Sequence, residues 1–150
     1  MAVRCLVRLA WSFLAVDVPA TDLTRHQPPF TVMAKYIVAI PVYNGVDLMD
    51  LSAPREIFHD ASLVLGKNPG EVKISCVADD NIITTSSGVK IVPNNKFCDT
   101  PVANPTVMWI PGGSSTELGC VLKDLNSSLF KYIKKVGSTA EYACSVCNGA

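Results

Sequence analysis

The sequence predicts an α/β fold with a mostly parallel sheet, on three observations. Apolar, β-branched runs alternate along the chain with segments of helical period. The strand candidates are apolar throughout rather than alternating, as strands covered on both faces read. Two of them end in glycine-containing turns, Ile110-Pro111-Gly112-Gly113 and Val146-Cys147-Asn148-Gly149. The 150 residues make one domain with length enough to bury a core. A hydrophobic fraction of 49% and a charged fraction of 17% fit a soluble globular protein with a buried sheet.

Residues 1–32 differ from the rest. Cys5 to Val16 is apolar but broken by Arg8, and His26-Gln27-Pro28-Pro29 reads as a linker. A secretory signal ending at Val18-Pro19-Ala20 is one reading. An appended, poorly ordered extension is the other and is preferred, with the domain at 33–150. The run is too short and too charged to span a membrane.

Tyr36 to Val42 is the first strand. Asn44-Gly45 breaks it, and a helix follows with Asp50 or Ser52 as cap and Pro54 in its first turn. Leu51, Ile57, Phe58, Ala61, Leu63, Val64 and Leu65 supply its apolar face up to Gly66. Val72 to Ala78 is a second strand. Ile82–Thr85 and Val89–Val92, separated by Ser86-Ser87-Gly88, make a small hairpin. Pro105 to Ile110 is another strand. Ser114 and Glu117 have capping-box spacing, and a helical period then runs from Leu118 to Lys135 with Gly137 as stop. Glu141 to Val146 is the last strand.

The Pro111-Gly112-Gly113 and Cys147-Asn148-Gly149 turns both leave strands at the carboxyl edge, where ligands of α/β proteins sit. Asp50 follows the first strand on that edge. A cysteine held in a sharp turn after a strand is the thiol counterpart of a nucleophile elbow. Such a thiolate adds to a polarised carbon, the Gly113 and Asn148 amides stabilise developing charge, and Asp50 moves a proton. Each piece also has a plainer reading. Cys147 is one more small buried hydrophobe, Asp50 only caps its helix, and Gly112-Gly113 is only a tight turn.

Six cysteines, at 5, 76, 98, 120, 144 and 147, lie in apolar runs, where buried free thiols are the commoner case. That favours a reducing, cytoplasmic setting. Cys144 and Cys147 have redox-pair spacing, but such pairs open a helix rather than end a strand. Cys76, Cys98 and Cys120 lack metal-ligand spacing, and His59 reads as a surface residue. Net charge is zero with no basic run, so nucleic-acid binding by this segment has little support.

The Ile37–Val42 strand, Asp50-Leu51-Ser52-Ala53-Pro54, the Ile-Pro-Gly-Gly turn and the Val-Cys-x-Gly elbow together resemble the ThiJ/PfpI superfamily, a class I glutamine-amidotransferase-like fold. The aspartate at position 50 resembles isocyanide hydratases and the amino-terminal domains of certain AraC-type regulators; deglycase and protease branches usually place a glutamate there. Over about residues 34–150 the resemblance implies a flavodoxin-like three-layer sandwich, incomplete at its carboxyl end. It implies Cys147 as nucleophile, Asp50 as its acid/base partner and Gly113 as oxyanion donor. It further implies a small-molecule substrate, no metal or other cofactor, and a homodimer of the full-length protein. A hydratase of this type converts an isocyanide to an N-substituted formamide.

Two departures stand beside the resemblance. Asn148 occupies a place where the hydratases commonly have threonine, and superfamily members continue past the elbow with a helix and further strands. This chain is therefore expected to be a fragment with little activity by itself. Three functional classes follow: a cysteine-dependent hydratase, the ligand-sensing domain of a transcriptional regulator, and a redox-protective protein whose cysteine is oxidised to sulfinic acid.

Overall fold

A computed structural model describes residues 34–149 except 69, 100 and 101. The expectations for residues 1–32 lie outside the described residues.

Four parallel strands form the main sheet in the order β2-β1-β5-β6: β1 Tyr36–Pro41, β2 Val72–Val77, β5 Val107–Ile110 and β6 Tyr142–Ser145. The hairpin β3 Ile83–Thr84 and β4 Lys90–Ile91 stands apart as an antiparallel pair. The order places β1 and β5 at the centre, and their pairing sets Val38 opposite Val107 and Ala39 opposite Met108. This is the flavodoxin-like α/β architecture.

Both faces of the central strands are buried, which is why they read as unbroken apolar runs. Val38 and Ile40 face a core that includes Leu51 and Phe58 of α1, Leu48–Val64. Ala39, Val77 and Met108 face a second core with Tyr132 and Val136 of α3, Ser128–Gly137. Helices on opposite faces give three layers.

α1 begins earlier than the sequence suggests. Its N-cap is Asp47, Asp50 lies in the first turn, and Pro54 sits inside the helix. The assignment of Asp50 or Ser52 as cap is thus corrected. The expected apolar face is corrected too: Ile57, Leu63, Val64 and Leu65 are exposed, and only Leu51 and Pro54 of the helix are buried. In the run 57–65 six apolar residues surround only His59, Asp60 and Ser62, and composition alone could not indicate which of the six meet the sheet.

The long helix expected over 114–135 is two helices, α2 Ser115–Val121 and α3. Between them Asp124 Oδ1 accepts from the Asn126 amide at 3.0 Å, and Ser127 Oγ accepts from Phe130 N at 3.4 Å. These local bonds compete with the helix ladder and restart the chain. The capping box is half realised. Ser114 Oγ accepts from Glu117 N, but the Ser114 amide donates to Gly45 O, so the return bond is not made.

Among the described residues the expectation of buried thiols holds only for Cys76; Cys98, Cys120 and Cys147 are exposed, Cys144 is half-buried, and Cys5 lies outside the described residues. No helix among the described residues is long and apolar enough to cross a membrane.

Candidate active site

The site starts from the loop after β1. The Asp47 amide donates to Gly112 O at 2.9 Å, tying the head of α1 to the turn after β5. Asp50 follows three residues on, so both carboxylates project from the same side of the first turn. Pro54 has no N–H and cannot bond the carbonyl four residues back, which is that of Asp50. Trp109 Nε1 on β5 donates to that carbonyl instead, at 3.1 Å. The helix defect is filled by the sheet, and Asp50 is held where the sheet ends.

The second part is the elbow. β6 stops at Ser145, and Cys147–Gly149 form a single 3-10 turn. Val146 N donates to Ile110 O at 3.1 Å and Gly149 N to Val146 O at 3.0 Å. Cys147 has φ 57°, the left-handed region that L residues other than glycine rarely occupy, and it is the one such non-glycine among the described residues. Strain of about 1–2 kcal/mol at a non-glycine on a solvent-facing thiol is the backbone signature of an elbow. The structure leaves Cys147 exposed, against its plainer reading as a small buried hydrophobe.

The two parts meet. Cys147 Sγ and one carboxylate oxygen each from Asp47 and Asp50 lie within 4.8 Å of one another. Asp50 Oδ2 accepts from Gly112 N at 3.1 Å. A Cβ on Gly112 would stand 2.5 Å from Asn148 Oδ1 and 2.8 Å from both Asp50 Oδ2 and Cys147 Cβ. Only glycine fits between thiol and carboxylate. The cluster offers three ligand atoms to a cation, without the four-ligand shell of a structural zinc site.

Gly113 and Asn148 are also brought together, but in a way that alters their expected role. Gly113 N donates to Asn148 Oδ1, and Asn148 Nδ2 donates to Gly113 O, both at 3.0 Å. The Gly113 amide is therefore engaged, and service as an oxyanion donor requires that bond to open. Asn148 replaces a backbone pairing across the two turns.

Three residues that the sequence reading passed over belong here. Asp47 is the second carboxylate; its spacing of three from Asp50 at a helix start was the available signal. Ser86 Oγ, from the hairpin turn, donates to Asp47 Oδ1. Tyr43 is buried, with its hydroxyl donating to Pro111 O at 3.4 Å. Burial, then the charges of Asp47, Asp50 and Cys147, push its pKa up to about 12. A cleft of about 290 Å³ is lined by Tyr43, Asn44, Glu117 and Asp124, and Cys147 does not line it.

No protein-family model matches the chain, nor does any curated protein. Solved structures do. The chain is similar to a ThiJ/PfpI family protein from Pseudomonas syringae, with 29% identity and a TM-score of 0.63 over 85% of this chain and 48% of that one. It is similar in fold to oxidized DJ-1 of Toxoplasma gondii, with 14% identity and a TM-score of 0.57 over 76% and 56%. An AraC family transcriptional regulator from Pseudomonas putida matches with 14% identity and a TM-score of 0.52 over 77% and 66%. The chain thus spans between 48% and 66% of the lengths of these three structures. Its structural neighbours are ThiJ/PfpI and DJ-1 superfamily proteins, and the 29% identity to a ThiJ/PfpI protein supports that superfamily for this chain.

Proposed function

We propose that the protein is a cysteine-dependent hydratase that converts an isocyanide to an N-substituted formamide, with Cys147 as nucleophile and Asp50 as acid/base. The observation that carries this reading is an exposed thiol at a left-handed elbow within 4.8 Å of the Asp50 carboxylate. A reach of that order tightens to a hydrogen bond when a substrate atom or one water enters. In the proposed cycle the sulfur forms a C–S bond to the terminal carbon, and the same carbon takes a proton from Asp50. The resulting thioimidate adds water. The tetrahedral adduct then collapses, breaking the C–S bond, releasing the formamide and returning a proton to the site. One isocyanide and one water are consumed per formamide.

The test incubates the full-length protein, since the 150-residue chain by itself is expected to turn over little, with a small panel of isocyanides and follows formamide by mass spectrometry. Turnover lost in Cys147→Ser and lowered about 10²-fold or more in Asp50→Asn supports the reading. Turnover that survives Cys147→Ser ends it.

Exposure of Cys147 favours a second reading, oxidation to sulfinic acid in a redox-protective role. Two oxygens added selectively at Cys147 under dilute peroxide, without isocyanide turnover, would support it. A third reading, ligand sensing, rests on the regulator among the structural neighbours and predicts saturable isocyanide binding with no product. Homodimer assembly, part of the same proposal, is tested by light scattering.

A further inference from the structure

We propose that Asp47 is a specificity-determining residue that makes the Cys147 site select neutral or cationic electrophiles over carboxylate- or phosphate-bearing ones. The inference rests on Cys147 being the nucleophile and adds the class of substrate it takes.

Aspartate at an N-cap ordinarily turns its side chain back onto the helix amides. Asp47 has the extended backbone of an N-cap, φ −74° and ψ 125°, yet makes no side-chain cap bond. Its carboxylate is diverted instead to Ser86 Oγ on the hairpin turn. That bond holds it among the Asp50 carboxylate and the Cys147 sulfur. A helix start thus forgoes a cap to keep a second negative charge beside the thiol.

Nothing described offsets that charge. Arg55, the cation nearest in sequence, reaches the other way, with Nη1 donating to Ile74 O and Asn94 Oδ1, each at 3.3 Å. The groups whose charge acts on the Tyr43 hydroxyl are all acids, Asp47, Asp50 and Cys147, with no cation among them. An electrophile that approaches Cys147 with its own negative charge meets two carboxylates at contact range. A neutral one meets no such barrier.

The experiment alkylates the intact chain with iodoacetamide or iodoacetate and reads Cys147 by peptide mass spectrometry. The two reagents share chemistry: a C–S bond forms, the C–I bond breaks, iodide leaves and the thiol proton passes to solvent. They differ in one negative charge. The amide-to-acetate rate ratio at Cys147 should fall about fivefold in Asp47→Asn, the effect of one unit charge a few ångströms away in wet surroundings. It should fall less in Ser86→Ala, which frees the carboxylate without removing it. Exposed Cys98 serves as the control whose ratio stays put. The Asp47→Asn effect should shrink at about 1 M salt, where screening acts over about 3 Å.

An asparagine caps as well as an aspartate, so a lost helix does not explain a changed ratio. Should Asp47→Asn not fold, Ser86→Ala carries the test. A ratio unmoved in the folded variants, or moved equally at Cys98, overturns the inference and leaves the nucleophile reading standing. Failure of Cys147 to react even with iodoacetamide overturns the nucleophile reading itself, and this inference with it.

Discussion

The indole N–H of Trp109 donates to the carbonyl oxygen of Asp50 at 3.1 Å, and Pro54 is the reason that oxygen is free. A proline inside a helix leaves one carbonyl unpaired; here the unpaired carbonyl belongs to the proposed acid/base residue. The same ring meets Phe58 of α1 edge-on, with centroids 6.4 Å apart. Trp109 therefore fixes both the height and the roll of α1 against the sheet.

This relationship predicts a coupling. Trp109→Phe removes the donor and leaves the Asp50 carbonyl unsatisfied, at a cost of about 1–3 kcal/mol. Pro54→Ala restores an amide able to close the helix bond to that carbonyl. Urea unfolding of the two single variants and the double variant should show Trp109→Phe costing about 1 kcal/mol less in the Pro54→Ala background. Equal costs in both backgrounds would show that the indole acts by packing alone.

A second prediction concerns Gly112. A methyl group there falls 2.5 Å from Asn148 Oδ1 and 2.8 Å from Asp50 Oδ2. Both are ends of side chains and can move, so Gly112→Ala should fold. The 2.8 Å approach to Cys147 Cβ is to an atom fixed on the elbow, and the thiol must shift as well. Misplacement of reacting groups by about 1 Å costs roughly 10²-fold in rate. Isocyanide turnover should thus fall by about that factor, and the unfolding midpoint should drop as well, because displacing Asn148 Oδ1 breaks its bond to the Gly113 amide.

How far the sequence could be read is clear from these same residues. The buried strands were legible because both faces of β1 and β5 are covered, so Val38, Ala39, Ile40 and Met108 are all apolar and all inside. The elbow and the Pro111-Gly112-Gly113 turn were legible because glycine and a terminal cysteine mark sharp backbone changes. The face of α1 was not, since Ile57, Leu63 and Val64 are apolar yet exposed. Composition cannot state which apolar residues find a partner. Nor could sequence show that Asn148 takes up the Gly113 amide, a contact between residues 35 apart. Asp47 was passed over because the helix was read as starting later, with Asp50 or Ser52 as its cap.

The Asn148–Gly113 pair supports a third prediction. Asn148→Ala removes two neutral hydrogen bonds at a part-exposed site, a loss of about 1–2 kcal/mol. It also releases the Gly113 amide, whose hydrogen exchange should quicken. If that amide serves as the oxyanion donor, the variant keeps turnover despite its lower stability, because the donor no longer has to break a bond first. Turnover that vanishes with the fold intact would assign the oxyanion contact to the Asn148 side chain.

The last prediction is the behaviour at high pH. Burial pushes the Tyr132 hydroxyl up to about 12, and burial with nearby anions does the same for Tyr43. Each is bonded as a neutral donor, Tyr132 to Val102 O at 2.8 Å and Tyr43 to Pro111 O at 3.4 Å. In the unfolded chain both ionise near the ordinary 10.0. Between those values the folded state holds more protons than the unfolded one, so stability falls as pH rises. The contribution is whole below about pH 10 and is lost on passing through about 12. Urea midpoints measured over this range should drop steeply for the wild type. Tyr132→Phe and Tyr43→Phe should each start lower, for want of a hydrogen bond, but show a flatter decline. Since the Tyr43 shift includes the charges of Asp47 and Asp50, Asp47→Asn should move the onset of its ionisation downward, and the Tyr132 limb, which burial alone sets, should not move. An absorbance titration of tyrosinate in the Tyr132→Phe and Tyr43→Phe backgrounds separates the two.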